Sequence, residues 1–219
     1  MNSPVLAGNM FLPACILQRA SGERSDGYNL TDGNLSTGAD VPLEMQLTQD
    51  LELFPDQSVT QLLFRDVKNC AELRKMAMEG QIPGALINPS MVVDLFQTLV
   101  AANKAVHLQK VGKMKTRSLY SEIIFSLSPT NNISEAFRRF GVSDSDSAVL
   151  VVLVHNKEDI FNKDDVTSKV DGQQIPADQI STLSDMAKIK KLYKVTPQEE
   201  KCGTVLDAVV LRMAAKEVV

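Results

Sequence analysis

Histidine and cysteine, the residues that most often bind metals or act as nucleophiles, are scarce in this sequence. Its 219 residues include 2 His and 3 Cys, and the cysteines lie far apart at Cys15, Cys70 and Cys202. No recognisable Cys/His spacing for a metal site can be assembled from so few residues. An odd number of distant cysteines also favours a reducing compartment over a disulfide framework. We therefore expect a cytoplasmic and nuclear protein without a metal or a cofactor.

Catalytic motifs are missing as well. The sequence has no GxGxxG, no phosphate-binding loop and no GxSxG, and neither His107 nor His155 stands in a catalytic signature. We therefore predict a protein that is not an enzyme and has no catalytic residues. A small-molecule enzyme with an unrecognised pocket in an α/β fold is the alternative hypothesis, because such folds host both enzymes and binding proteins.

Long hydrophobic runs are absent too. None reaches the roughly 18 residues that a membrane helix needs, so we expect no membrane partner. The apolar stretch 10–17 lacks a preceding basic region and contains Pro13, which argues against a secretory signal. The net charge of −4 argues against nucleic-acid binding by the whole surface, so that any such contact must be local.

The first 44 residues differ in composition from the rest. Between Ala20 and Asp40 the chain is rich in Gly, Ser, Asn and Asp and has no apolar periodicity. We predict that residues 1–44 form a disordered or loosely attached extension. Strand and helix patterns alternate afterwards, which predicts a single small α/β domain over residues 45–219, with a central sheet flanked by helices.

The strand patterns are short. Alternation over 46–53 and the run 59–64 predict a hairpin with its turn at 55–58. The run Ala148–Val154 is apolar throughout, which predicts a strand that helices bury on both faces.

The helix patterns are clearer. The main helix is predicted over Pro89–Val111, started by Asn88 and stopped by Gly112. Its apolar face would carry Val92, Leu95, Phe96, Leu99, Val100 and Val106. A further helix is predicted over 66–78, with Leu73, Met76 and Ala77 inward and Gly80 at its end.

The second half of the chain gives mixed signals. The segment 116–127 fits a helix or a strand, and its polar start and the following Ser128–Pro129 favour a helix. A compact helix is predicted from Asn132 to Gly141, with Ile133, Ala136, Phe137 and Phe140 packed. The region 164–195 should be helical in pieces, broken at Gly172 and Pro176.

The C-terminal helix offers candidate residues for binding a partner. The sequence T-P-Q-E at 196–199 is a capping box and predicts a helix that continues to near the C-terminus. We predict a binding surface of Leu206, Val209, Val210, Leu211 and Met213. A helix wholly buried in its own core is the alternative, because apolar stripes usually mean core.

A cluster of cations follows the main helix. No acidic residue occurs between Asp94 and Glu122. This stretch carries the cations Lys104, Lys110, Lys113, Lys115 and Arg117. Cations at a helix C-terminus are favoured by the helix dipole, so a solvated helix end is one interpretation. The other is an edge that binds nucleic-acid phosphates, with Tyr120 as the nearest aromatic residue for base stacking.

Two long segments resemble a known family. They are LFRDVKNCAELRKMAMEG and LINPSMVVDLFQTLVAANKAVHLQKVGKMKTRSLYSEIIFSLSPTNNISEAFRRFGVS. Both are similar to the PRPK-binding proteins, the small kinase-associated subunits of the KEOPS/EKC complex. The resemblance is strongest in INP, LVAANKAVH, KMKTR and LSPTNNISEA, and covers 45–219. Residues 1–44 have no counterpart in the expected form of such a protein and look like an alternative extension.

The resemblance implies a non-catalytic α/β protein that binds the N-terminal lobe of the kinase/ATPase PRPK and supports its activity. Through PRPK it would join the other KEOPS/EKC subunits. The complex installs threonylcarbamoyl on the adenosine next to the anticodon of tRNAs. In archaeal relatives this subunit binds the tRNA 3′ CCA end, which supports the phosphate-edge interpretation of the cations.

Overall fold

The computed structural model describes residues 45–157 and 164–216. Within these residues the fold is α/β, as the sequence predicts, with a five-stranded antiparallel sheet. The strands are β1 (Gln46–Leu51), β2 (Phe54–Arg65), β3 (Ala85–Ile87), β4 (Ala148–Asn156) and β5 (Gln173–Ile175). The predicted extension 1–44 lies outside the described residues.

The helices cover both faces of the sheet. In chain order they are α1 (Cys70–Met78), α2 (Leu95–Lys110), α3 (Leu119–Leu127), α4 (Ile133–Phe140), α5 (Asp164–Thr167), α6 (Ile180–Leu183), α7 (Met186–Tyr193), α8 (Glu199–Cys202) and α9 (Val205–Ala215). Short 3-10 turns occupy Pro89–Met91 and Ala177–Gln179.

Strand β4 is the centre of the fold, as its apolar run predicts. It pairs with β2 on one side and β3 on the other, and Leu150 and Val151 are fully buried on opposite faces. The larger core lies under α2, α3, α7 and α9, and the smaller one lies under α1. Helices on both faces therefore bury this strand, which confirms the prediction.

The predicted hairpin of β1 and β2 is present, but its turn was placed wrongly. Leu51 pairs with Phe54, and the register shifts between Asp50 and Leu51. The turn is therefore residues 52–53, and Pro55 lies in β2 beside the irregularity. Proline, which has no N–H to donate, is tolerated at such a bulge.

The predicted main helix is in fact two elements. The first is the 3-10 turn that Asn88 starts, and the chain is then extended at Val92 and Asp94. The Asp94 carboxylate accepts from the Phe96 N–H at 2.7 Å and so caps α2 at its start. The helical period runs through this break without a Gly or Pro to mark it, which is why the sequence pattern concealed it.

Only part of the predicted apolar stripe is buried: Val92, Leu95 and Val106 are, as predicted. The remaining buried residues of α2 are small or polar, namely Gln97, Thr98, Ala101, Ala102 and Ala105. Phe96, Leu99 and Val100 are only half-buried. Small residues let the helix lie close to the sheet, so size mattered more than hydrophobicity at this contact.

Two other predictions needed correction. Helix α1 begins at Cys70, four positions later than predicted. Asp66, the predicted first residue, has a positive φ of 53° and so cannot be part of a right-handed helix. The segment 173–175 is strand β5 and pairs with β2, although its sequence had been predicted as part of a broken helical region.

The ambiguous segment 116–127 forms a helix from Leu119 onward, in agreement with the preferred prediction, and Ser118 caps this helix, α3. Asn132 caps α4 through the Glu135 N–H, also as predicted. On α4 Ala136 and Phe140 are buried, but Ile133 is 39% and Phe137 37% exposed, so the prediction that all four apolar residues pack was wrong.

A buried polar chain joins three helices of the larger core. The Val93 N–H donates to the Gln97 side chain at 2.9 Å, and the Gln97 amide donates to the Tyr193 hydroxyl at 3.0 Å. The Tyr193 hydroxyl in turn donates to the Leu127 carbonyl. Burial raises the pKa of Tyr193 far above its ordinary value, so it stays a neutral donor.

Tyr193→Phe should therefore lower the free energy of unfolding by about 1–3 kcal/mol, because it leaves buried polar groups without their partner. Tyr120→Phe is the matched control, since no hydrogen bond of its hydroxyl is present among the described residues, and we expect almost no change. Denaturant unfolding of the two variants measures both effects. Equal losses would contradict the structural role of the Tyr193 hydroxyl.

Candidate functional site

The end of α2 is fixed by a Schellman motif. Gly112 has a φ of +67°, and its N–H donates to the Gln109 carbonyl at 3.1 Å. The Lys113 N–H donates to the Leu108 carbonyl at 2.8 Å. These two bonds satisfy carbonyls at the helix end and turn the chain away from the helix axis. Gly112 therefore ends the helix, as the sequence predicts.

The cations after this turn lie on the protein surface. Lys113, Lys115 and Arg117 are exposed, whereas the intervening Met114 and Thr116 are half-buried. Lys113 and Arg117 have no carboxylate in ion-pair distance among the described residues. We call residues 113–117 the basic segment. It presents three cationic side chains to solvent.

The other two predicted cations have partners elsewhere in the fold. Lys104 is half-buried, and its ammonium lies 3.3 Å from the Met213 carbonyl. The Lys110 ammonium lies 3.6 Å from Asp56 and 4.4 Å from the centre of the Phe54 ring. The five predicted phosphate-binding residues are thus divided between the exposed basic segment and two side chains in contacts within the fold.

A buried carboxylate holds the basic segment in place. Glu122 on α3 is fully buried, and its Oε2 accepts from the Lys115 N–H at 3.0 Å and the Thr116 N–H at 2.8 Å. The Thr116 hydroxyl donates to the same oxygen at 2.6 Å. In the sequence, Glu122 stood out only as the limit of the acid-free stretch. The available signal was a single acidic residue within the apolar run of α3.

Helix α9 begins later than predicted. The predicted capping box at Thr196 and Glu199 is present, but it opens only the short helix α8, which ends before Gly203. A second capping box, Thr204 with Asp207, starts α9. The sequence T-V-L-D at 204–207 carried this signal and was missed.

The predicted kinase-binding residues lie on different sides of α9. Val209, Val210 and Met213 are at most 4% exposed, and Val209 and Met213 belong to the larger core. Leu206 is half-buried, and Leu211 is 61% exposed. Three of the five side chains are therefore buried by packing within the chain. The accessible part of the predicted surface consists of Leu206 and Leu211.

Charged and polar contacts secure the C-terminal part of α9. The Arg212 guanidinium donates to both carboxylate oxygens of Glu199, at 2.8 Å and 3.0 Å. At its C-cap, the Lys216 ammonium donates to the Phe125 carbonyl at 2.6 Å, and the Asn131 amide donates to the Lys216 carbonyl at 2.9 Å. These contacts link α9 to α8, to α3 and to the start of α4.

The stability that the Glu199 carboxylate contributes should be lost at acid pH. The Thr196 N–H, followed by Arg212, lowers the pKa of Glu199 below its ordinary value of 4.5. A carboxyl whose pKa is lowered by folding stabilises the protein above its unfolded pKa, and this is lost as the pH falls through the folded pKa. Glu199→Gln should therefore flatten the fall of the thermal midpoint below about pH 4.5, and identical pH curves would contradict this.

Other kinds of site find little support in the described residues. No group of three or more His, Cys, Asp or Glu side chains there could hold a metal ion. His155 contacts the Thr60 hydroxyl at 2.9 Å, and Thr60 contacts Thr48 at 3.0 Å, so this histidine belongs to a cross-strand chain.

None of the helices in the described part of the chain is long and apolar enough to span a membrane.

Comparisons with known proteins agree on one family. The model of the family described as kinase binding protein CGI-121 matches residues 64–217. The EKC/KEOPS complex subunit TPRKB of Danio rerio is 75% identical over 174 residues, which cover 80% of this chain and 99% of that protein. The EKC/KEOPS complex subunit cgi121 of Aspergillus fumigatus is 40% identical over 140 residues, or 61% of this chain and 74% of the relative. The subunit of the same name from Schizosaccharomyces pombe is 28% identical over 170 residues, or 74% and 97%.

Proposed function

The chain belongs to the CGI-121 family of kinase-binding proteins, and we propose that it is a non-catalytic subunit of the EKC/KEOPS complex. In this role it binds the N-terminal lobe of the PRPK kinase/ATPase, supports its activity and contacts the other subunits through it. The observation that carries the proposal is that the chain is 75% identical to an EKC/KEOPS complex subunit over 99% of that subunit's length. Identity this high over nearly the full length of a relative supports a shared role.

For the kinase surface we propose the outward side of α9. Leu211 is the most exposed large apolar residue of this helix, and Leu206, about one and a half turns before it, is half-buried. Amphipathic helices commonly bind partner proteins through exposed apolar side chains, and Leu211 is the side chain of α9 that fits this role. Val209, Val210 and Met213 then support the surface from beneath, because they pack α9 on the core.

For the tRNA contact we propose the basic segment. Its three cations are exposed on a stretch of chain that has no acidic side chain at the surface between Asp94 and Glu122. Phosphate contacts supply much of the affinity of nucleic-acid-binding proteins, and a few correctly placed cations suffice for a local contact. The tRNA 3′ CCA end is the part that we assign to this edge, and the complex as a whole carries out threonylcarbamoylation.

The kinase-binding family favours this role over the alternative of a small-molecule enzyme. We also propose action in the cytoplasm and the nucleus. Cys70 and Cys202 are free thiols, which supports a reducing compartment.

The proposal is tested by mixing the full-length chain with purified PRPK and following both by gel filtration. We expect one co-eluting species, and a complex lacking the chain should bind tRNA less tightly. Separate elution would refute the kinase-binding role. Equal tRNA affinity with and without the chain would refute the tRNA contact alone.

A further inference from the structure

The basic segment is held by a side chain that does not belong to it. All three described hydrogen bonds of the Glu122 side chain go to Lys115 and Thr116. They converge on Oε2, whereas Oε1 is buried without a hydrogen-bond partner among the described residues. The carboxylate is therefore committed to this segment and to no other part of the described fold.

A carboxylate at this position is costly for stability alone. Glu122 is fully buried between apolar neighbours, and Ile123 and Phe125 on the same helix are at most 1% exposed. Burying a charge costs free energy unless hydrogen bonds and opposite charges compensate it, and an apolar residue often serves a core better. The hydrogen bonds from Lys115 and Thr116 offset the cost of burying the Glu122 carboxylate. We infer from this that the role of Glu122 is to hold the basic segment in position.

The geometry separates the anchor from the binding surface. The N–H groups of Lys115 and Thr116 point to Glu122, while the side chains of Lys113, Lys115 and Arg117 are exposed. The negative charge thus lies beneath the segment and the positive charges lie above it. With the Schellman turn at Gly112 and the Ser118 cap of α3, the segment is fixed at both ends and at its middle.

We propose that Glu122 is a positioning residue for tRNA binding: its Oε2 holds the basic segment in the conformation in which its cations meet phosphates. This inference rests on the proposed tRNA contact. A segment that is already held in its bound conformation loses little conformational entropy on binding. By holding the basic segment, Glu122 therefore increases the affinity for tRNA.

The expected effect differs from that of removing the cations. Without its anchor the segment still carries three positive charges, so the number of phosphate contacts in the bound state is kept. The slope of log affinity against log salt should therefore stay at the wild-type value, while affinity at every salt concentration falls by roughly tenfold. Loss of cations, in contrast, changes the slope itself.

The experiment uses the full chain in complex with its kinase and one tRNA over a salt series. Glu122→Leu removes the acceptor and should give the tenfold loss with an unchanged slope. Glu122→Gln can place its carbonyl oxygen where Oε2 lies and so still accept the same hydrogen bonds. The affinity of this variant for tRNA should therefore stay within about threefold of wild type. Thr116→Val removes one donor and should give a loss of about threefold. Thermal midpoints and kinase affinity are measured on each variant.

The outcomes separate the two hypotheses. If Glu122→Leu folds and binds tRNA as wild type while alanine at Lys113, Lys115 and Arg117 flattens the slope, the positioning role is wrong and the tRNA contact stands. If the triple alanine variant leaves the slope unchanged, the tRNA contact itself fails. Should Glu122→Leu not fold, Thr116→Val decides, and wild-type affinity there would refute the inference. A loss in Glu122→Gln as large as in Glu122→Leu would also refute it.

Discussion

Leu211→Asp should weaken kinase binding by at least about tenfold and leave the thermal midpoint almost unchanged. Leu211 is 61% exposed on α9, while Val209 and Met213 on the same helix are packed in the core. A carboxylate at an exposed position costs the fold little, usually within about 0.5 kcal/mol. In an apolar interface the same carboxylate must lose its water, which costs far more than the lost leucine contacts alone.

The matched control is Met78→Asp. Met78 is 79% exposed at the end of α1, and α1 packs on the smaller core, on the opposite face of the sheet from α9. The substitution makes the same change in charge and removes a similar apolar side chain. We expect normal kinase affinity, measured by calorimetric titration with the purified kinase. A folded Leu211→Asp variant with wild-type affinity would place the interface elsewhere.

The parts of the fold that could be predicted from sequence are those with one dominant local cause. The run 148–154 is short, apolar throughout and rich in β-branched residues, which favours a strand buried on both faces. Asn132 and Gly112 mark a helix start and a helix end because a free N–H needs an acceptor and a positive φ favours glycine.

The parts that could not be predicted depend on contacts distant in sequence. The break before Asp94 keeps the helical period of apolar residues, and the Gln97 side chain stabilises it by accepting the Val93 N–H. Strand β5 is three residues long and exists because β2 offers it an edge. Neither contact is visible in a local window of sequence.

The candidate site shows the same division. Cations concentrated in an acid-free stretch were found from sequence, but their partners were not, so Lys104 and Lys110 were grouped with residues of a different environment. On α9 an apolar side chain in the core and an exposed one have the same chemistry. Only the packing separates Val209 from Leu211.

Replacing Lys113, Lys115 and Arg117 together by alanine should reduce the slope of log affinity for tRNA against log salt by about 2 to 3. Each phosphate contact contributes about 0.7 to 0.9 to this slope, because each cation that binds a phosphate releases a condensed counterion. The side chains are exposed, and the hydrogen bonds that hold the segment come from its backbone and from Thr116. The fold and kinase affinity should therefore be preserved.

The control for this variant removes the same charge from another surface. Lys75 on α1 and Lys188 and Lys191 on α7 are exposed, and their replacement by alanine also removes three positive charges. If the basic segment contacts phosphates, this control lowers affinity only through the general potential of the protein and leaves the slope close to wild type. An equally reduced slope in both variants would mean that tRNA binding responds to the net charge of the protein and not to the basic segment. An unchanged slope in the first variant would make the basic segment a solvated helix end, and the tRNA contact would have to lie on other subunits.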